Sequence, residues 1–349
     1  MNLLILGADS PVGQALVEAL VREDQVHTAL ATEEFLSLQK PELVKTLSRL
    51  NPTQVIYVAS FDDIAAAESD ADAARRCDQV NTLGAAEVAE VCQKLQVPLL
   101  HHSSSQVFDG RKVHPYREED ETNPQSRYGQ SKLGAERAIR ELLPTHVILR
   151  TDWVFDTSKS GYFENLLTSV RQNEGKLVVR NQRFCPTPSA DVARVLLGIT
   201  RQVDCQAEVW GVYHYCALQP VAQETFVEQV IQEAAKYDPE LSALLPQLQI
   251  SKEAVEAPWI ANSVVGTQKI FETFGIKQRS RAAALTAVLQ KLCNYTPPET
   301  PATAEVSVEA PPPAPAPAQE GERNAQPRRK LKKKSGSAKP GSTDAKRTP

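Results

Sequence analysis

At 349 residues, the chain is long enough for one large domain or two smaller ones, and its 41% apolar and 23% charged residues are those of a soluble globular protein. No apolar run of about 18 residues exists, which excludes a transmembrane helix. Leu3 to Leu6 leads straight into a glycine turn, so no signal peptide is expected. The net charge of −4 is unevenly spread: residues 321–349 carry ten Lys or Arg and two acids, leaving 29 basic and 41 acidic side chains before them. Cys77, Cys92, Cys185, Cys205, Cys216 and Cys293 are scattered, with no Cys-x-x-Cys pair and no His at ligand spacing. Free thiols in a reducing compartment follow, with no disulfide frame and no metal site, and the expected location is the cytoplasm.

In chain order, Leu3–Leu6 is a short apolar strand ending at Gly7, and Val12, Leu16, Ala19 and Leu20 start a helical pattern. Strand, tight turn and helix form the arrangement that places a dinucleotide pyrophosphate at a helix N-terminus. The expected spacing is Gly-x-x-Gly-x-x-Gly; here Gly7 and Gly13 flank Ser10, whose Cβ and hydroxyl stand where backbone and phosphate approach closely. A plain structural turn would have the same spacing. A second strand is expected near His27–Ala31, a helix over Pro41–Leu50, a buried strand over Val55–Ala59 and a helix over Ala71–Leu95. Pro98–His102 reads as a strand before Ser103, Ser104 and Ser105, Tyr128–Leu143 as a helix and His146–Arg150 as another strand. This alternation predicts an α/β fold with a doubly wound parallel sheet, covered on both faces. Ligands bind at the carboxyl ends of such strands, which puts Gly7, Ala59, Ser104 and Thr151 around one crevice.

Beyond residue 150 the pattern is less regular, with a strand within Val209–Cys216 and amphipathic helices over Thr225–Tyr237 and Arg279–Leu292. The division expected is a nucleotide-binding domain over 1–150, a smaller, partly interleaved substrate lobe over 151–295, and a disordered tail over 296–349. Residues 297–319 hold eight prolines among Ala, Glu and Thr, a composition that stays extended and unpacked. The basic run after them predicts weak attraction to nucleic acid or another acidic partner, or simply a solubilising tail. It has no aromatic residue for base stacking.

Tyr128-Gly-Gln-Ser-Lys132 carries the chemistry. Residues i and i+4 of a helix share a face, and an ammonium beside a phenol favours the phenolate, lowering a pKa that is otherwise about 10. Such a pair can donate or accept a proton near neutral pH, although a solvated Tyr and Lys on an ordinary helix give the same spacing.

The body from Met1 to about Leu292 resembles the dTDP-4-dehydrorhamnose reductase family of extended short-chain dehydrogenases. The likeness runs in order through the Gly7–Gly13 turn, Ala67-Glu68-Ser69 and Val80-Asn81. It continues through Ser103–Gly110, similar to Ser-Thr-Asp-Tyr-Val-Phe-Asp-Gly, then Tyr128–Glu136, Leu149–Phe155, Pro186-Thr187 and Asn262-Ser263. The resemblance implies a Rossmann-type fold and reduction of the 4-keto group of a dTDP-6-deoxy sugar with NADPH or NADH. By resemblance Tyr128 donates the proton, Lys132 lowers its pKa and holds the nicotinamide ribose, and Ser104 bonds the substrate oxygen. Gly7, Ser10, Pro11, Val12, Gly13, Ala59, Ser60 and Phe61 would flank the cofactor, with Ser104, Ser105 and Trp153 on the substrate; a core Trp is the other reading of Trp153. A homodimer is left open.

The departures from the family are Ser10, the bulky Phe61, Ser105-Gln106, Phe184-Cys185, and Trp259 in a segment where the family has Arg. No acid marks the end of the second strand, which leaves NADH and NADPH undistinguished. A non-catalytic, cofactor-sensing or partner-regulating member of the same fold is the alternative, as in the methionine adenosyltransferase regulatory subunit.

Overall fold

The computed structural model describes residues 1–156 and 161–293. Expectations for the 296–349 tail fall outside the described residues. Five strands, β1 (Leu3–Leu6), β2 (His27–Leu30), β3 (Gln54–Tyr57), β4 (Leu99–Ser104) and β5 (His146–Thr151), alternate with helices. Four short strands follow, β6 (Val154–Phe155), β7 (Lys176–Arg180), β8 (Arg183–Phe184) and β9 (Thr187–Pro188), and then β10 (Gly211–Tyr215). The main sheet has the order β10-β5-β4-β3-β1-β2, and every pairing in it is parallel. This is the doubly wound parallel sheet that the alternating pattern predicts.

Alternation along each strand builds two cores. Leu3, Ile5 and Ile56 face the helices Pro11–Arg22 and Ser189–Asp204, while Leu4, Leu6, Val55 and Tyr57 face Lys40–Leu50, Gly84–Leu95 and Arg127–Leu142. With both faces covered, β1 and β3 are buried throughout, so they read as continuous apolar runs. The chain returns to this sheet late: β10 adds outside β5, and the Ser189–Asp204 helix packs against Pro11–Arg22. A third cluster, built on Phe163, Phe184, Phe226 and Leu289, lies apart from the two cores of the main sheet, and the part of the chain around it is termed the smaller lobe.

The helix expected over Ala71–Leu95 is divided into Ala71–Cys77, a π-helical turn over Asp78–Leu83, and Gly84–Leu95. Packing decides this. The Tyr57 hydroxyl donates to the Val80 carbonyl at 2.5 Å, and a Cβ on Gly84 would lie 2.7 Å from that hydroxyl. Asn81, in the same turn, is fully buried, and its amide braces the Phe61 backbone and donates to Ser131 Oγ at 2.9 Å.

Candidate active site

The first βα turn depends on two glycines. Gly7 has φ +92°, and a Cβ there would meet the Ala59 nitrogen at 2.2 Å. A Cβ on Gly13 would meet the Gly7 carbonyl oxygen at 2.1 Å. Ser10 folds back as the N-cap of the Pro11–Arg22 helix: its hydroxyl donates to Gly7 O at 2.7 Å and accepts from Gly13 N at 3.1 Å. The hydroxyl is therefore engaged within the turn. Pro11 has no N–H to offer, and among the described residues nothing accepts the Val12 N–H. Ser10, Pro11 and Val12 all line the main cavity.

That cavity has a volume of about 350 Å³ and runs along the carboxyl ends of β1, β3, β4 and β5. Ser60, Ser104, Ser105, Tyr128 and Trp153 line it. Gly7 and Gly13 shape the turn beneath it, and Ala59 is buried against Gly7. Phe61 is not in the lining: it packs, partly buried, against the core on one face of the sheet, and Asn81 bonds both its N–H and its carbonyl, each at 2.9 Å. The bulky residue therefore does not narrow this cavity.

Tyr128 sits in the first turn of the Arg127–Leu142 helix, capped by Ser126, whose hydroxyl accepts from Gly129 N at 3.0 Å. A Cβ on Gly129 would lie 2.2 Å from the Gln106 carbonyl oxygen, so this glycine lets the helix press against the end of β4 and brings Tyr128 to Ser104. Ser104 and Ser60 line the same cavity as the phenol, and both favour its ionised form. Lys132 is buried one turn on and donates to the His102 carbonyl at 2.8 Å. The helix is tied down further by a buried bidentate pair, with Arg150 Nη2 at 2.6 Å from Glu136 and Ser103 also donating to Glu136 at 2.6 Å.

The electrostatics differ from the expected scheme. Enclosure by protein pushes the Tyr128 phenol well above its ordinary value and the Asp62 carboxylate adds to the rise, while Ser104 and Ser60 oppose it. Desolvation is the largest influence, and it favours the protonated phenol. Burial lowers Lys132 to about 8, with Asp62 and Glu136 resisting the fall. Asp62, exposed at the cavity wall yet hemmed in by protein, is itself shifted up by desolvation.

The far wall belongs to the smaller lobe. Trp153 packs edge-on against Tyr162 (4.7 Å), Phe184 (5.7 Å) and Phe226 (5.8 Å) while lining the cavity, so it serves both core and site. Asp152 is buried: one oxygen accepts from Ser105 Oγ at 3.1 Å and Trp153 N at 2.8 Å, the other from Cys185 N at 2.5 Å. Burial raises its carboxyl to about 6, and the Ser263 hydroxyl beside it favours the ionised form without reaching hydrogen-bond geometry. The Arg180 guanidinium stacks 4.1 Å over Trp259 at the rim.

Residues 1–294 match the family described as RmlD substrate binding domain. The chain belongs to that family. A dTDP-4-dehydrorhamnose reductase of Sinorhizobium fredii is 30% identical over 281 residues, covering 79% of this chain and 93% of the relative. In fold the chain is similar to a dTDP-4-dehydrorhamnose reductase of Clostridium acetobutylicum, with a TM-score of 0.70 at 20% identity, covering 84% of this chain and 99% of that one. A Bacillus anthracis dTDP-4-dehydrorhamnose reductase in complex with NADP gives 0.66 at 20% identity, covering 83% and 98%.

In this family member the βα turn fits a nicotinamide dinucleotide. The glycines permit the close turn, and an unpaired N–H at a helix N-terminus meets the cavity beside Ser60, Tyr128 and Ser104. Asp62 and Arg180 were not among the expected site residues, while Asn81 and Asp152 lie in segments that carry the resemblance but had no expected role. Asp62 was the most findable, lying just past the end of a buried strand. The partners of Asp152 and Arg180 gave no signal, because only packing brings Ser105, Cys185 and Trp259 to them. Among the described residues, no helix is long and apolar enough to cross a membrane.

Proposed function

We propose that the protein is an NADPH- or NADH-dependent reductase of the dTDP-4-dehydrorhamnose reductase type. It would reduce the 4-keto group of a dTDP-linked 6-deoxy sugar. The observation that carries this reading is one cavity that Tyr128, Ser104 and Ser60 line together with the helix N-terminus at Val12. When bound, the reduced nicotinamide supplies hydride to the keto carbon. Tyr128 gives its proton to the carbonyl oxygen as charge develops there, completing the alcohol. Ser104 donates a hydrogen bond to the same oxygen. Lys132 places a cation behind the resulting tyrosinate and lowers the cost of forming it. Trp153 and Ser105 form the sugar-facing wall.

The test follows cofactor absorbance with dTDP-4-dehydrorhamnose as substrate. Tyr128→Phe should lower turnover by at least about 100-fold while NADH affinity stays within a factor of about two. Turnover that survives in the variant would remove Tyr128 from the mechanism. A cytoplasmic location, a homodimer and weak binding of an acidic partner by residues 321–349 belong to the same proposal. Fractionation, sedimentation and salt-dependent RNA binding by the full chain test them.

A further inference from the structure

β2 itself ends without an acid, but the fold gathers Asp9, Glu33 and Glu34 just beyond it, and their meaning rests on the reading that this turn takes a nicotinamide dinucleotide. In a doubly wound sheet the adenosine ribose lies near the end of the second strand. A carboxylate there bonds a 2′-hydroxyl, whereas a guanidinium accommodates a 2′-phosphate. In this chain the carboxylate comes from an unexpected place. Asp9, in the turn after β1, reaches across to the residues following β2, and its Oδ1 accepts from Thr32 N at 2.7 Å and Thr32 Oγ1 at 2.8 Å. Among the described residues nothing bonds its Oδ2, and Asp9 is exposed.

The short Thr32–Leu36 helix adds Glu33 and Glu34 in its first turn. Glu34 accepts weakly from Ala31 N at 3.3 Å. Arg76 is the guanidinium at this place, and it is engaged: Nη2 is ion-paired with Glu33 and Nη1 donates to Gln79 at 3.1 Å. Three carboxylates and one engaged guanidinium are therefore gathered just beyond β2, the end of the sheet where such folds take the adenosine ribose. A 2′-phosphate would add close to two negative charges there, whereas a 2′-hydroxyl could donate to Asp9 Oδ2.

We propose that Asp9, held by Thr32, makes this protein select NADH over NADPH. Asp9 is a specificity residue contributed by the glycine turn, in place of an acid on β2 itself. Asp9→Asn isolates its charge, because the amide oxygen still accepts from Thr32.

The experiment titrates the full-length protein with NADH and NADPH, following quenching of tryptophan fluorescence, with the melting temperature of each variant measured alongside. NADH should bind at least about tenfold more tightly, a gap that narrows with salt as like-charge repulsion is screened. Asp9→Asn should reduce the gap about tenfold, chiefly by tightening NADPH, at an unchanged melting temperature. Asp9→Asn with Thr32→Arg should invert the preference. Equal or tighter NADPH binding in the unaltered protein overturns the proposal, as does a ratio that Asp9→Asn leaves unmoved. Binding of neither cofactor overturns the underlying reading of the turn as well.

Discussion

Tyr128 and Lys132 were legible from their spacing, but their protonation was set by surroundings that spacing does not reveal. Desolvation holds the phenol protonated and pulls the lysine down to about 8. Lys132 therefore weakens the folded state at neutral pH. Its folded pKa lies below the ordinary value of 10.5, so the unfolded chain binds more protons between about 8 and 10.5, and stability rises with pH across that window. The penalty below pH 8 is on the order of 3 kcal/mol, offset in part by the bond to the His102 carbonyl. Lys132→Met should stop turnover yet remove this slope, which chemical denaturation at pH 7, 8.5 and 10 would measure. An unchanged slope in the variant would assign it to another group. Asp62 stayed outside the sequence reading because an acid beyond a strand resembles any loop acid until the chain folds it towards Tyr128.

Among the elements, the expected sheet strands match with small errors at their ends, because the two-sided sheet leaves continuous apolar runs, whereas the helices Gly161–Gln172 and Ser189–Asp204 and the short strands β6 to β9 were not expected. The π turn over Asp78–Leu83 was not legible, since it exists to admit the Tyr57 hydroxyl from another strand. The glycine turn was legible in position but not in chemistry. Ser10 is a helix cap, so Ser10→Ala should lower stability by about 1 kcal/mol while freeing Gly13 N–H for a phosphate. Gly13→Ala is a different case: a Cβ 2.1 Å from the Gly7 carbonyl oxygen must displace backbone. That variant should lose at least about 2 kcal/mol and its cofactor binding together. Urea unfolding and NADH titration separate the two effects, and wild-type binding in Gly13→Ala would show that the turn tolerates the displacement.

Across the whole molecule, Asp152 joins parts that the chain keeps far apart: Ser105 after β4, Trp153 after β5 and Cys185 after β8. Its carboxyl is raised to about 6 from an ordinary 3.8, so the native state binds more protons between those values and stability falls as pH rises through the window. The change is on the order of 3 kcal/mol. Thermal melts from pH 4 to 7 should show this decline, and Asp152→Asn should abolish it. The variant should also be less stable at pH 7, because its amide N–H₂ would face the N–H donors that the carboxylate accepts. By itself, the sequence determined the strand–helix alternation, the glycine turn and the Tyr128–Lys132 spacing, because backbone periodicity and i,i+4 geometry are local. Only the tertiary structure decided which groups surround them: Asp62 at Tyr128, Asp9 at the end of β2, Asp152 between the lobes and Phe61 turned away from the cavity. Burial and charge depend on residues distant in the chain, and packing alone brings those residues together.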